Sequence, residues 1–222
     1  MKKHLRKLAY ALVVAGVSAA HAGSYESFFR ALKRDDDRTV TTLLQRGFDP
    51  NTADPDGHVG LTLALKEPSL KAAAALLQHP QLDVNRLNPA GESPLMMAAL
   101  KGELAWCQRL IERGADVNKP GWTPLHYAAT GSSIPVIELL LEHHAFIDAQ
   151  SPNKTTPLMM AARYGSEEAV VTLLDAGADP TMRNERGLSA ADFARGGERD
   201  RLAELIERRS ATYNTASPSS PK

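Results

Sequence analysis

The side chains with the most chemistry to offer are few. His126 stands inside Thr-Pro-Leu-His, His143 and His144 are adjacent, Met96-Met97 and Met159-Met160 are paired, Cys107 is the single cysteine, and Asp35, Asp36 and Asp37 form an acidic run. An imidazole can move protons or ligate zinc, thioethers bind soft Cu(I), a thiolate attacks electrophiles, and clustered carboxylates hold hard cations. The spacing argues against each of these. Adjacent histidines on a helix face different ways and make a poor chelate. The acidic run lacks the alternating ligands and glycine of a calcium loop, and suits instead the positive end of a helix. No phosphate-cradling glycine loop, nucleophile elbow or paired histidine on one helical face occurs. Cys107 cannot close a disulfide within the chain, and in Glu-Leu-Ala-Trp-Cys-Gln-Arg-Leu-Ile it reads as a small packed hydrophobe. The chain therefore reads as non-enzymatic, with no cofactor and no bound metal.

The elements that carry these residues recur. Gly121 to Ala129 reads GWTPLHYAA, Ser93 to Ala99 reads SPLMMAA and Thr156 to Ala162 reads TPLMMAA, with weaker echoes at Val59 to Leu65 and Ser189 to Phe193. The leucine of each copy, Leu61, Leu95, Leu125 and Leu158, with Ala191 in the same slot, recurs after 34, 30, 33 and 33 residues. Repetition at such a period predicts stacked supersecondary units. Each unit continues with a short apolar helix, a break and a second helix ending in an aliphatic pair such as Leu76-Leu77 or Leu173-Leu174. Gly47, Gly114 and Gly177 then supply the left-handed residue that closes a helix, and His144 holds that slot once. Thr123 can cap the first helix and Pro124 sits where no amide hydrogen is needed.

TPLHYAA followed by a Gly stop and an ADVN-type tail resembles the ankyrin repeat, over about Ser24 to Ser210. The resemblance implies an all-α solenoid of helix-turn-helix units with short β-hairpin fingers, in which stacking supplies the core. About six repeats fill residues 24–210, the first and last acting as caps, and the Ser/Pro-rich residues 211–222 read as a disordered tail. The second unit is degenerate, with Gly60 for Pro and Thr62 for His. At Asn118 to Gly121 the exit is about three residues short, so one finger should be stunted: a harmless loop deletion, or a notch in the binding face.

Residues 1–22 read as a cleavable secretory signal. Lys2, Lys3, Arg6 and Lys7 precede an apolar run from Leu8 to about Ala20, and Ala20-His21-Ala22 places cleavage after Ala22. The run is shorter than the roughly 20 residues of a spanning helix, so the membrane enters only during export. The Lys-rich start looks bacterial and the destination reads as the periplasm. The full chain has 26 bases and 26 acids, and loss of those four bases leaves it mildly acidic, which argues against a nucleic-acid partner.

Ankyrin proteins typically bind partners with finger tips and the exposed side of the first helices. Carried onto this chain, the resemblance implies a protein partner held by Asp56, His58, Lys119, Trp122, Asn153, Thr155 and Arg186 on fingers. Leu100, Lys101, Arg163 and Tyr164 would join them from first helices, with Asp54, Asn88, Glu92, Glu185, Lys66 and Thr130 as secondary candidates. Aromatic and Arg anchors carry most interface energy, which singles out Trp122, Arg163 and Tyr164. The chain is expected to be a monomer. Its partner would be an exported enzyme in need of protection, such as a catalase in oxidative-stress defence, with toxin immunity, envelope organisation or periplasmic metal and redox handling as alternatives.

Overall fold

From the second repeat on, a first helix in this chain starts where a hydroxyl residue or valine precedes it, and four of the second helices end where a left-handed residue turns the backbone away. The computed structural model describes residues 19–67 and 69–216, and twelve helices lie among them. They pair as α1 (Ala19–Lys33) with α2 (Asp37–Gln45), α3 (Gly60–Lys66) with α4 (Leu70–Leu77), and α5 (Pro94–Lys101) with α6 (Leu104–Glu112). The series continues with α7 (Pro124–Gly131) and α8 (Ile134–Glu142), α9 (Pro157–Tyr164) and α10 (Glu167–Asp175), and α11 (Ala190–Gly196) and α12 (Asp200–Ala216). The expected all-α repeat architecture is what the chain adopts. It divides into two compact units at Pro94/Leu95.

In the first unit, α1 packs on α3 and α2 on α4; in the second, α7 on α9 on α11 and α6 on α8 on α10. First helices thus stack on first helices and second on second. The buried positions explain why. Leu125, Ala128 and Ala129 recur as Leu158, Ala161 and Ala162, all fully buried, and alanine lets helix backbones approach closely. Glycine takes this furthest: a Cβ on Gly131 would fall 2.3 Å from the Leu100 carbonyl oxygen, and one on Gly165 2.3 Å from that of Ala129. The second helices supply the larger apolar volume, with Ile137 and Leu140 in α8 and Val170 and Leu173 in α10 fully buried.

The predicted stops are where the backbone turns left-handed: φ is +87° at Gly47, +91° at Gly114, +98° at Gly177 and +62° at His144. The acidic run is also accounted for. Asp36 accepts from the Thr39 amide at 3.0 Å as the cap of α2, and Asp35 accepts from the amides of Lys71 and Ala72 at 2.8 and 2.9 Å, capping α4 of the next repeat. Two carboxylates serve two helix N-termini, where the exposed amides and the dipole favour negative charge.

The last helix runs to Ala216, beyond the Ser210 at which the repeats were expected to end, and residues 217–222 of the expected tail lie outside the described residues. Most of the expected leader, residues 1–18, also lies outside them, as does Pro68, and the expected cleavage point after Ala22 falls within the span of α1. No helix among the described residues is long and apolar enough to cross a membrane.

Candidate functional site

Most of the chemistry-bearing residues are consumed by structure, while the His143 and His144 side chains stay exposed. His126 is fully buried, its Nδ1 2.9 Å from the Thr123 hydroxyl and 3.2 Å from the Thr123 amide that donates to it. Its Nε2 lies 2.9 Å from the Thr155 carbonyl oxygen, which can only accept. The ring is therefore the neutral Nε2–H tautomer, joining the start of α7 to the next finger. Burial pushes the imidazole down to about 4, against weaker opposition from the carbonyls of Thr155 and Ala149. Met159 occupies the same slot one repeat on, its thioether accepting from the Thr156 amide at 3.5 Å. Met96 and Met97 are buried as well, so three of the four paired methionines are core, and Met160 is half-buried. Cys107 is fully buried, and burial, with the Glu103 carboxylate nearby, raises its thiol to about 12. Among the described residues no group of three or more His, Cys, Asp or Glu could hold a metal ion.

The expected hairpin fingers are tight turns, with a single isolated antiparallel bridge, Ala53 with Val59, among the described residues. Their construction repeats. The amide of an anchor residue donates to the carbonyl four residues on: Asp54 to His58 at 2.8 Å, Asn88 to Glu92 at 2.9 Å, Ser151 to Thr155 at 3.0 Å and Asn184 to Leu188 at 3.0 Å. The anchor side chain accepts the returning amide, at 2.8 to 3.0 Å in all four. The third residue after each anchor is left-handed, Gly57, Gly91, Lys154 and Gly187, which is where glycine is favoured.

Asn118 differs. By register it is both the turn anchor and the final residue of the ADVN tail, because the three residues between those two roles are missing. The tail role wins: its side chain donates to the His144 carbonyl and accepts from the Phe146 amide, each at 2.8 Å, as Asn51 does toward Gln81 and Asp83. The Trp122 carbonyl, the counterpart of the one met by a backbone amide in the other fingers, takes the Lys119 ammonium at 3.1 Å instead. Trp122 is half-buried, its ring edge-on to His126 with centroids 5.1 Å apart.

This geometry sorts the expected contact residues. Thr155 is 2% exposed and bonded to His126, so it is a structural residue with nothing to offer a partner, and Asn88 is likewise buried. Lys119 is half-buried and braces its own finger. His58 is half-buried, its Nδ1 3.4 Å from Asp54. Leu100 is half-buried, under Gly131. Asp56, Asn153, Arg186, Lys101, Arg163 and Tyr164 are exposed. In the second unit Arg163 and Tyr164 form one feature: Arg163 Nε donates to the Tyr164 hydroxyl at 3.0 Å, and the tyrosine is 58% exposed. The Asn153 carbonyl accepts the Glu185 amide at 3.0 Å, joining two finger tips.

In the first unit a groove of about 1040 Å³ opens between α1, the Asp54–Asp56 finger and α3. Tyr25, Phe29 and Leu63 supply apolar surface, and Arg30, Asp54 and Asp56 are among the charges that line it. Sequence reasoning did not select Tyr25 or Phe29. For Phe29 the signal available was the register of Phe28, which matches Leu61 at 33 residues and is fully buried, so that its immediate neighbour turns aside from the core; nothing comparable marked Tyr25.

A family model described as Ankyrin repeats (3 copies) matches residues 28–120 and 107–184. The chain is 35% identical over 152 residues to the nuclear factor NF-kappa-B p105 subunit of Gallus gallus, a match covering 65% of this chain and 16% of that protein. It is 33% identical over 165 residues to neurogenic locus notch homolog protein 1 of Xenopus tropicalis, covering 66% of this chain and 6% of the relative. Against the B-cell lymphoma 3 protein homolog of Mus musculus it is 31% identical over 152 residues, covering 65% and 34%. The chain thus matches a minor part of each relative's length.

Proposed function

The chain belongs to the ankyrin-repeat family, and from that premise we propose that it is an exported, non-enzymatic recognition module whose finger and first-helix surface holds another protein. The groove of the first unit carries this reading. It is formed by a finger and two first helices, it offers aromatic side chains ringed by both signs of charge, and a partner's side chains could be desolvated there. In the second unit Arg163 and Tyr164 add an exposed aromatic and guanidinium pair of the type that anchors interfaces. The candidate contact set is Asp56, Asn153, Arg186, Lys101, Arg163, Tyr164 and the exposed part of Trp122.

The exported address is supported by the basic start, the short apolar run and Ala20-His21-Ala22. Protection or stabilisation of an exported enzyme, a catalase among them, is the first process to test, and it rests on the resemblance alone. Expression with a C-terminal tag should yield periplasmic protein whose mass begins at Gly23. Affinity capture from that compartment should retain a protein that the combined Trp122→Ala, Arg163→Ala and Tyr164→Ala variant loses at unchanged helix content. Retention by both forms would exclude the Trp122, Arg163 and Tyr164 surface and leave the groove of the first unit, which Tyr25→Ala with Phe29→Ala then tests, and a cytoplasmic, uncleaved product would remove the exported part of the reading.

A further inference from the structure

We infer that the finger and first-helix face of the second unit takes an acidic protein segment, an extended run of Asp or Glu carrying an apolar or aromatic residue. The inference rests on the protein-binding reading above and names the chemistry of the partner.

The turns and first helices of this unit are rich in bases. The finger turns 118–122, 151–155 and 184–188 and the first helices carry Lys101, Lys119, Lys154, Arg163, Arg186 and Arg195 against two acids, Glu185 and Asp192, while the segments that enter those turns carry Arg113 and Arg183 against Asp116, Asp148 and Asp179. Of its second helices, α8 and α10 expose acids, Glu138 and Glu142 on the one and Glu167 and Glu168 on the other, whereas α12 exposes Arg201, Arg208 and Arg209 beside Glu204 and Glu207. Internal pairing removes part of the basic set: Arg183 and Arg195 lie 3.7 and 3.9 Å from Asp192, and Lys119 serves its own turn. Lys101, Lys154, Arg163 and Arg186 remain, all exposed and none ion-paired among the described residues.

Contacts between repeats hold these cations in two groups, one at each end of the first helices. The carbonyls of Leu100, Ala129 and Arg163 meet Gly131, Gly165 and Gly197 in succession, so the C-terminal ends of α5, α7, α9 and α11 form one row. Lys101 and Arg163 belong to it. Arg163 Nη1 lies over Gly196, where any Cβ would approach to 2.4 Å, so that glycine leaves the space the guanidinium occupies. Lys154 and Arg186 stand on neighbouring tips joined by the Asn153 to Glu185 bond. A guanidinium presents a planar fork that matches a carboxylate, and Tyr164 beside it offers apolar surface. Four unpaired cations with Glu185 among them suit spaced carboxylates better than a continuous phosphate backbone.

The test is fluorescence anisotropy with the full chain and three labelled probes: a peptide alternating Glu with Leu and Tyr, its counterpart with Lys for every Glu, and a thymidine oligonucleotide. The acidic peptide should bind and weaken with added salt, and the basic peptide should not bind. Reversal of three exposed positions together, Lys101→Glu, Lys154→Glu and Arg186→Glu, should cost on the order of tenfold or more in affinity at unchanged circular dichroism. The corresponding Gln variants keep the test open should the reversals unfold the chain. Equal binding of both peptides, tighter binding of the oligonucleotide, no binding of the acidic peptide, or indifference to the substitutions would each overturn the inference. A protein captured by the wild type and lost by the Trp122, Arg163 and Tyr164 variant, with no acidic-peptide binding, would overturn it while leaving the protein-binding reading in place.

Discussion

Lys119 returns its ammonium group to the Trp122 carbonyl oxygen at 3.1 Å, replacing with a side chain the backbone amide that closes the other fingers. The short finger is therefore braced, and its shortness is compatible with a defined shape. Lys119→Met should lower stability by about 1 kcal/mol, the net worth of a partly exposed hydrogen bond, and should alter Trp122 fluorescence. Urea unfolding compared with a Lys154→Met control checks this. An identical midpoint for both would mean that water meets the carbonyl equally well.

His126 makes stability depend on pH. Its folded value of about 4 lies below the ordinary 6.5, so between those values the unfolded chain takes up a proton that the fold refuses. The contribution is fully present above pH 6.5, falls as pH drops through that window and levels off below about 4, for a total on the order of 3 kcal/mol. His126→Gln should unfold more easily at neutral pH and lose less between pH 7 and pH 5 than the wild type. Parallel loss in both proteins would assign the acid sensitivity to other groups.

Thr62 holds the His126 slot in the second repeat, and its buried hydroxyl has no hydrogen-bond partner among the described residues. Val59 precedes that helix where Thr123, Thr156 and Ser189 precede theirs, so the reciprocal pairing at the helix start is lost. Thr62→Val removes an unsatisfied polar atom at constant shape and should raise stability by roughly 1 kcal/mol. Thr156→Val, which deletes a bond to the Met159 amide, should lower it by a similar amount. Thermal melts of the two variants should shift in opposite directions.

Gly165 is set by contact, its φ of −83° being open to any residue. A methyl group there would press on the Ala129 carbonyl and on Ala161, so Gly165→Ala should destabilise by about 1–3 kcal/mol. Gly177→Ala meets nothing within 4 Å and should cost about 1 kcal/mol through its φ of +98° alone. Denaturant titration of the pair separates crowding from backbone strain; equal losses would show that the first helices slide apart freely.

Cys107 should be silent toward thiol reagents in the native protein. Burial holds the thiol near 12, so almost no thiolate exists at pH 8. Labelling by an aromatic disulfide should follow global unfolding and become rapid in urea. Native labelling at a rate near that of a free thiol would place the sulfur at the surface.

Periodicity was enough to identify the repeats, because the same contacts must be made once per unit and therefore the same residue types return at the same spacing. Leu125, Pro124 and the left-handed stops were all legible on that basis. Register alone could not say which finger residues face a partner. Thr155 and Lys119 stand at finger positions like Asn153 and Arg186, yet one is buried and the other is turned back on its own loop. Those outcomes depend on which carbonyls and amides neighbouring repeats leave unmet, a condition set by backbone atoms that every residue type shares. The ring of Tyr25, Phe29 and Leu63 around one groove, and the unpaired state of Arg163 and Arg186, likewise come from side chains distant in sequence. Local spacing encodes which elements form, and only their packing decides which of their side chains remain free to act.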